Sequence, residues 1–241
     1  MKKTERLLLF ILITSLVSCK PTLILTEVSP KNIAITSNTP IDTTIENLIS
    51  PYRAKLDSTM NQVIGSNAIA MEKAQPEGLL GNFIADLCLT WSSRSDFQHA
   101  DVCLLNHGGL RTSLPNGPVT VGNIYELMPF DNTMVLLKLS GSQMKQAVEF
   151  IINTGGQPFS GMTIYKGQCF INNQPLSDKQ HYWVLTTDYL ANGGDNMAFF
   201  DNSVERINTG VLLRQVIIMH YEILTLFINQ GNARLDNRIQ L

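Results

Sequence analysis

Three loops of the sequence carry side chains that could bind a ligand, and each follows an apolar segment. They are Asn106-His107-Gly108-Gly109-Leu110-Arg111, Pro129-Phe130-Asp131-Asn132 and the segment from Tyr189 to Asp195. Paired glycines such as Gly108 and Gly109 let backbone amides approach a ligand closely. Arg111 adds a planar guanidinium that suits phosphate or carboxylate.

The second and third loops add aromatic rings and a carboxylate. A base stacked on an aromatic side chain gains about 1–3 kcal/mol, and Phe130 and Tyr189 offer two such rings. Asp195 could accept hydrogen bonds from both hydroxyls of a ribose, as acids do in dinucleotide sites. Each loop alone also fits an ordinary turn or packed loop. Together they favour a nucleotide, with its base between the rings, its ribose on Asp195 and its phosphate near Arg111.

Residues for covalent or metal chemistry are sparse. The histidines are not paired at metal-ligand spacing; they are His99, His107, His181 and His220. The sequence contains no G-x-S-x-G motif, and no serine or cysteine has a context that marks an activated nucleophile. We therefore predict no catalytic residue, no metal site and no cofactor in this chain.

The first residues resemble an export signal. Lys2, Lys3 and Arg6 precede an apolar run, residues 7–17, that is too short to span a membrane. The next residues, Ser18 and Cys19, complete a segment that resembles a bacterial lipobox, which implies cleavage before Cys19 and attachment of lipid to it. A short membrane anchor and a plain secretory signal are the alternatives. We expect a lipid-anchored protein of the bacterial cell envelope, facing the periplasm or the cell surface.

The other cysteines show no recognisable framework. Cys88, Cys103 and Cys169 lack the spacing of a zinc site or of a set of disulfides. Three buried thiols are expected, and one disulfide pair is the alternative.

Charge and composition divide the chain into three parts. Removing residues 1–18 takes away three cations and one anion, which shifts the formal charge from −2 to −4. Because duplex binding needs a basic surface, this negative charge argues against nucleic acid as a bulk partner. Residues 19–42 contain scattered prolines and polar residues without a period, which indicates a tether. Residues 43–241 are expected to form one domain.

Hydrophobic spacing predicts mixed secondary structure in this domain. A helix is expected from Thr43, and further helices over 79–91 and 142–155, the last ending at Gly155. A long helix is expected from Thr209 onward, apolar almost all round and therefore buried on more than one side. Strands are expected over 62–71, 100–106 and 181–190. Because helices and strands do not alternate strictly, an α+β or layered α/β fold is favoured over a doubly wound sheet.

In their order along the chain, the three loops resemble the motifs of the C-terminal domain of 5′-nucleotidases. The similarity extends to "LLGNFIADL", "LKLSGSQMKQAVE", "NTGVLLRQVI" and the closing "DNRIQL", and it covers nearly all of residues 45–241. The resemblance implies a layered α/β/β/α domain that binds the nucleoside part of a substrate.

The resemblance also implies roles for individual residues. Phe130 and Tyr189 would sandwich the base, and Asp195 would hold the ribose hydroxyls. Asn106 and Asn132 would lie near the base, and Arg111 near the ribose and phosphate. The full set of expected binding residues is Asn106, Gly108, Gly109, Arg111, Phe130, Asn132, Tyr189, Gly193, Gly194 and Asp195.

Two positions depart from the family pattern. The family usually has another arginine before the "LGN" segment, where this chain has Pro76, Glu77 and Gly78, with Lys73 nearby but out of register. His107 stands where a glycine is commoner.

Catalysis in the family belongs to a separate metallophosphatase domain with two metal ions, whose Asp-x-His, Asn-His-acid and His-x-His motifs are missing from this sequence. The leading hypothesis is therefore a substrate-binding domain that works with a metallophosphatase supplied by another chain, which would carry the divalent metals. The alternatives are a non-catalytic nucleoside-binding lipoprotein and a structural lipoprotein that has lost the site.

Overall fold

The computed structural model describes residues 29–34, 36, 39–227 and 229–241. The predicted signal peptide (1–18), the lipidation residue Cys19 and the first part of the predicted tether lie outside these residues. Residues 47–241 form one compact unit, and this unit contains the β-sheets. Among the described residues, no helix has the length and apolar character needed to cross a membrane.

Helix α1 (Thr43–Met60) begins at the residue predicted from the sequence. The carboxylate of Asp42 accepts hydrogen bonds from the backbone amides of Thr44 and Ile45, which caps the first turn. The apolar side chains on this helix are largely exposed, including Leu48 at 68% and Tyr52 at 74%. Helix α1 therefore forms without contributing a buried residue to the core.

The other helices and strands of the described chain differ widely in length. In chain order they are β1 (Val63–Asn67), α2 (Leu79–Arg94), β2 (Val102–Leu104), β3 (Gly117–Thr120), α3 (Val121–Leu127), β4 (Thr133–Ser140), α4 (Gly141–Asn153), β5 (Phe159–Ser160), β6 (Met162–Tyr165), β7 (Gln168–Ile171), β8 (Gln174–Pro175), β9 (His181–Thr187), α5 (Asp188–Ala191), β10 (Glu205–Leu212), α6 (Leu213–Leu226) and β11 (Ile239–Gln240).

A five-stranded sheet with the order β10-β4-β9-β2-β5 forms the centre of the domain. Strand β9 pairs in parallel with β2 and antiparallel with β4. Along β4 the side chains alternate between two hydrophobic clusters: Met134 and Leu136 belong to one, Val135 and Leu137 to the other. Since successive residues of a strand point to opposite faces, both faces of the sheet are buried. This explains why the central strands β2 and β4 have mostly apolar sequences without a regular polar alternation.

Helices cover one face of the central sheet, and a helix and a second sheet cover the other. The first cluster contains apolar residues of α2, α3 and α6. The second contains apolar residues of α4 and of the four-stranded sheet β11-β6-β7-β8. The layered α+β architecture predicted from the sequence is confirmed.

Local sequence explains where helix α4 begins and ends. Ser140 accepts a hydrogen bond from the backbone of Gln143, whose side chain accepts one from the backbone of Ser140, so the two form a capping box. At the other end Gly155 takes a positive φ of 74° and Gly156 donates to the carbonyl of Ile151. The end predicted at Gly155 agrees with this geometry.

The prediction of a helix from Thr209 is wrong for its first turn. Residues 209–212 continue strand β10, and helix α6 begins only at Leu213. Gly210 has a φ of +70°, and the pairing with β4 shifts between Asn208 and Leu212. The hydroxyl of Thr209 donates to the carbonyl of Met134, which keeps this segment on the sheet. The positive φ at glycine and the added sheet pairing outweigh the helical spacing of the apolar residues.

The same helix is also less buried than the sequence predicted. Val216, Ile217 and Tyr221 lie in the core, whereas Ile223 is 40% and Leu226 is 79% exposed. Helix α6 packs on the core along one side only.

The expectation of three buried thiols is confirmed, since Cys88, Cys103 and Cys169 are buried and free.

A buried arginine fastens the end of the chain to the core. The side chain of Arg238 is 8% exposed and donates two hydrogen bonds to the carboxylate of Asp86 on α2, at 2.8 and 3.0 Å. It also donates two to Asp236, at 2.8 and 2.9 Å, and one to the carbonyl of Phe159 at 2.8 Å. Its hydrogen bonds lower the pKa of Asp236 below the usual range. The strand β11 is thus tied to α2 and β5.

Replacing Asp236 with asparagine should lower the free energy of unfolding near neutral pH. It should also make that free energy depend less on pH in the acidic range. The folded-state pKa of Asp236 lies below its unfolded value of about 3.9, so its charge stabilises the fold above that pH. This stabilisation is lost as the pH falls through the folded pKa. Urea denaturation at neutral and acidic pH measures both effects. The exposed Asp96 provides the control, and equal curves for Asp236→Asn and Asp96→Asn would contradict the assignment.

Candidate functional site

The pairing of three strands brings the three candidate loops to one edge of the central sheet. Because β2 and β9 are parallel neighbours, the loops that follow Leu104 and Thr187 leave the sheet on the same side. Strand β4 runs antiparallel to β9, with Met134 opposite Thr187, so the loop before Thr133 arrives at that edge too. The sheet therefore gathers residues that are far apart in sequence.

A cavity of about 290 Å³ lies between these loops. Its lining consists of eight of the ten predicted binding residues: Asn106, Gly108, Gly109, Arg111, Phe130, Asn132, Tyr189 and Asp195. Gly193 and Gly194 are outside this lining and affect the cavity through the backbone of the third loop. The structure thus brings the predicted side chains together.

The carboxylate of Asp195 is held by two side chains of the cavity. Asn106 donates from Nδ2 to Oδ2 of Asp195 at 2.6 Å. The hydroxyl of Tyr189 donates to Oδ1 at 2.8 Å and accepts from the backbone amide of Asp195 at 3.3 Å. The hydrogen bond to Asp195 raises the pKa of Tyr189 above its usual range, so the phenol remains a donor at neutral pH. The first and third loops are therefore joined through Asp195.

The backbone of the third loop adopts positive φ angles. Gly193 has a φ of 84° and Asp195 a φ of 52°, in the left-handed region that few residues other than glycine, asparagine and aspartate tolerate. A Cβ atom at Gly194 would lie 2.5 Å from Cε1 of Tyr189. The paired glycines therefore turn the chain sharply and leave room for the tyrosine ring.

The first loop uses its glycines in a similar way. A Cβ at Gly109 would lie 2.4 Å from Oδ1 of Asn106, so a larger residue there would displace the amide that binds Asp195. The backbone amide of His107 donates to Oε1 of Gln157 at 2.8 Å, which anchors the start of the loop.

The two positions that depart from the family pattern lie beside the cavity. His107 lines another cleft together with Lys73 and Pro76 and is not among the residues that line the cavity between the three loops. Burial, and then the charge of Lys73, lower the pKa of His107.

The two aromatic rings are half exposed at the cavity. Phe130 is 45% and Tyr189 46% exposed, and both belong to the lining, so each ring presents apolar surface to the cavity. The guanidinium of Arg111 lies 5.9 Å from the centre of the Phe130 ring. Its hydrogen bond to the carbonyl of Gly108 is long, at 3.4 Å, so its donors remain largely available.

Sequence reasoning missed a buried arginine under the second loop. Arg214, on helix α6, is 7% exposed and donates to the carbonyls of Met128 and Phe130 at 3.1 and 3.4 Å. It also pairs with the carboxylate of Asp131 at 2.5 Å and lies 4.1 Å from the ring centre of Tyr125. It fixes the backbone from which the Phe130 ring projects. The sequence did contain a signal for it, because an arginine within the apolar run "VLLRQVII" indicates a buried charge with partners.

Asp188 is a second residue that sequence reasoning missed. Its Oδ1 accepts hydrogen bonds from the backbone amides of Thr133 and Tyr189, at 3.0 and 2.8 Å. It therefore joins the second loop to the third.

The described part of the chain contains no group of three or more His, Cys, Asp or Glu side chains that could hold a metal ion. The arrangement in the cavity is one for binding: rings for a flat apolar group, a carboxylate for hydroxyl donors and a guanidinium for an anion.

A family model described as "5'-nucleotidase, C-terminal domain" matches residues 55–202. The chain belongs to this family. The resemblance seen in the loop motifs is therefore confirmed at the level of the family.

The relatives are considerably longer than the matched region. Human 5′-nucleotidase is 26% identical over 214 residues, which cover 74% of this chain and 37% of the human protein. The trifunctional nucleotide phosphoesterase protein YfkN of Bacillus subtilis is 25% identical over 178 residues, or 63% of this chain and 12% of that protein. The crystal structure of the 5′-nucleotidase precursor from Thermus thermophilus matches with a TM-score of 0.68 and 26% identity, covering 83% of this chain and 43% of that one. The chain spans less than half of the length of each of these three proteins.

Replacing Arg214 with methionine should destabilise the domain, because it leaves the carbonyl of Met128 without its buried donor. Hydrogen bonds from charged groups contribute about 1.5–3 kcal/mol each, so a loss in that range or above is expected. The midpoint of urea denaturation measures it. Arg206 is exposed and bonds to the side chains of Asn192 and Asn208, so Arg206→Met is the matched control. Equal midpoints for the two variants would show that Arg214 does not hold the loop.

Proposed function

We propose that this chain is a nucleoside- or nucleotide-binding domain that contributes substrate recognition to nucleotide hydrolysis. The observation that carries the proposal is the meeting of Phe130, Tyr189, Asp195 and Arg111 around one cavity. Its volume of about 290 Å³ is just below the range for small-molecule pockets, about 300–1,000 Å³.

Each side chain of the cavity suits one part of such a ligand. The exposed faces of Phe130 and Tyr189 offer apolar surface for a base. Asp195 offers acceptors for ribose hydroxyls, and Asn106 and Asn132 offer amides that can donate to and accept from a base. Arg111, with few bonds to the protein, offers a planar fork for phosphate.

Calorimetric titration with the four common ribonucleosides and their 5′-monophosphates tests this proposal. Binding of at least one of them is expected. Phe130→Ala should weaken it by about 1–3 kcal/mol, because one stacking face is lost. Tyr165 is exposed to a similar degree, 46%, and lies on β6 outside the cavity, so Tyr165→Ala should bind as the wild type does. Failure of all eight ligands to bind at millimolar concentration would favour a structural lipoprotein without a ligand.

We further propose that the chemical step belongs to a metallophosphatase domain supplied by another chain. In the family this chemistry requires two metal ions that polarise the phosphate and activate water. The match to 37% of human 5′-nucleotidase supports this division, since most of that relative lies outside the matched region. On this proposal, the present chain holds the nucleoside and contacts the phosphate through Arg111, while its partner supplies the metal ions that polarise the phosphate.

Phosphate release from a nucleoside monophosphate should be absent for the purified protein with added divalent metal. It should rise when a metallophosphatase that lacks a C-terminal domain is added. The same mixture with Phe130→Ala should be slower, because the partner would depend on this cavity to hold the base. Metal-dependent turnover that persists in the pure protein would contradict the division of roles.

A non-catalytic nucleoside-binding protein is the second candidate. It is favoured by the charge of the cavity: among the described residues that line it, Arg111 is the one cation. Equal affinity for nucleosides and their monophosphates, with no acceleration of a phosphatase, would support this candidate over the first.

We also propose that the protein is lipid-anchored in a bacterial cell envelope, on the basis of the lipobox-like residues before Cys19. Cys19→Ala should leave the precursor uncleaved and without incorporated fatty acid in a metabolic labelling experiment. A variant that is processed and membrane-bound like the wild type would contradict this proposal.

A further inference from the structure

Asp195 has hydrogen-bond donors of the protein on both of its carboxylate oxygens. A carboxylate accepts at about four lone-pair positions, two on each oxygen. Asn106 occupies one position on Oδ2, and the hydroxyl of Tyr189 occupies one on Oδ1. One position on each oxygen is left for a ligand. This pattern matches a ligand with two neighbouring hydroxyl groups better than one with a single hydroxyl.

We infer that the hydroxyl of Tyr189 is a positioning group that orients the Asp195 carboxylate and makes the cavity selective for a vicinal diol. The inference rests on the proposed function, because it assumes that the cavity binds a nucleoside and gives the hydroxyl of Tyr189 a role separate from that of its ring. Stacking needs only the ring, and a phenylalanine would supply it. The hydroxyl acts through Asp195.

The contacts of the hydroxyl show that it is held firmly. It donates to Oδ1 of Asp195 at 2.8 Å and accepts from the backbone amide of the same residue at 3.3 Å. The pair therefore closes a ring between the side chain of Tyr189 and both the backbone and the side chain of Asp195. Rotation of the carboxylate would break the bond to Tyr189 and the bond from Asn106 together.

The backbone between the two residues is shaped for this contact. Gly194 lies directly before Asp195, and a Cβ there would lie 2.5 and 2.6 Å from Cε1 and Cζ of the tyrosine ring. Gly193 and Asp195 take the positive φ angles that fold the segment back toward Tyr189. The loop therefore places the hydroxyl end of the ring, as well as its face, at the site.

Tyr189→Phe removes the hydroxyl and retains the ring. A hydrogen bond to a charged carboxylate corresponds to a change of about ten- to hundredfold in affinity. Affinity for ribonucleosides should fall by that factor. Affinity for 2′-deoxyribonucleosides should fall by a clearly smaller factor, because they make only one of the two contacts with the carboxylate. Calorimetric titration with adenosine, guanosine, cytidine, uridine and their 2′-deoxy counterparts measures the ratio.

A double-mutant cycle shows whether the hydroxyl acts through Asp195. In the Asp195→Asn background, Tyr189→Phe should have no further effect on the ratio of ribo- to deoxyribonucleoside affinity. Tyr165→Phe is the matched control, since Tyr165 is 46% exposed, as Tyr189 is, but lies on β6. Both tyrosines are exposed, and thermal unfolding of each variant checks that the fold is retained.

The outcomes separate this inference from the proposed function. A selective loss of ribonucleoside affinity that disappears in the Asp195→Asn background supports the inference. If the wild type binds nucleosides and Tyr189→Phe has an unchanged ratio, the inference is overturned while the proposed function remains. Equal losses for both kinds of sugar would assign the effect to stacking and would also overturn it. If the wild type binds none of the probes, both fall.

Discussion

The pairing of strand β9 with β2 on one side and β4 on the other determines where the binding residues can meet. Parallel pairing with β2 puts the Asn106 and Tyr189 loops side by side, and antiparallel pairing with β4 brings the Phe130 loop to them. A shift of β4 by one residue would exchange its two buried faces, so Met134 and Val135 would trade hydrophobic clusters. Burial of both faces therefore fixes the register, and the register fixes the geometry of the cavity.

The loops themselves depend on polar side chains that replace the missing regular structure. Asp188 ties the backbone of Thr133 to that of Tyr189, and Arg214 holds the carbonyls on either side of Pro129. When residues of the helices and strands hydrogen-bond to the backbone of a loop, they hold that loop in place. Its aromatic rings can then stay half exposed instead of packing against the loop. The positive φ of Asp195 is maintained in the same way, because the Tyr189 hydroxyl accepts a hydrogen bond from its backbone amide and donates one to its carboxylate.

Much of the fold could be predicted from local pattern, and less of the support of the site could be. Capping residues such as Ser140 and Gln143 mark helix ends directly in the sequence. The ligand-type residues were recognisable because glycine pairs, rings and acids recur together in loops. Arg214 and Asp188 were not, because their partners are backbone groups as far as 86 residues away, which no spacing rule reveals. The start of α6 was misplaced because residues 209–212 follow the pairing of β4 rather than their own helical spacing.

The charge distribution around the cavity agrees with a division of labour between two domains. The described residues that line it include one cation, Arg111, and one anion, Asp195, so the net formal charge of the lining is zero. Lys73 and His107 line a separate cleft, and burial together with the charge of Lys73 lowers the pKa of His107, which favours the neutral imidazole near pH 7. One guanidinium, that of Arg111, can make a bidentate contact with a phosphate. If metal ions of a partner neutralise the phosphate, as proposed, this domain needs to recognise only the nucleoside and make this one contact, and a nearly neutral cavity with two rings and one oriented carboxylate is sufficient for that.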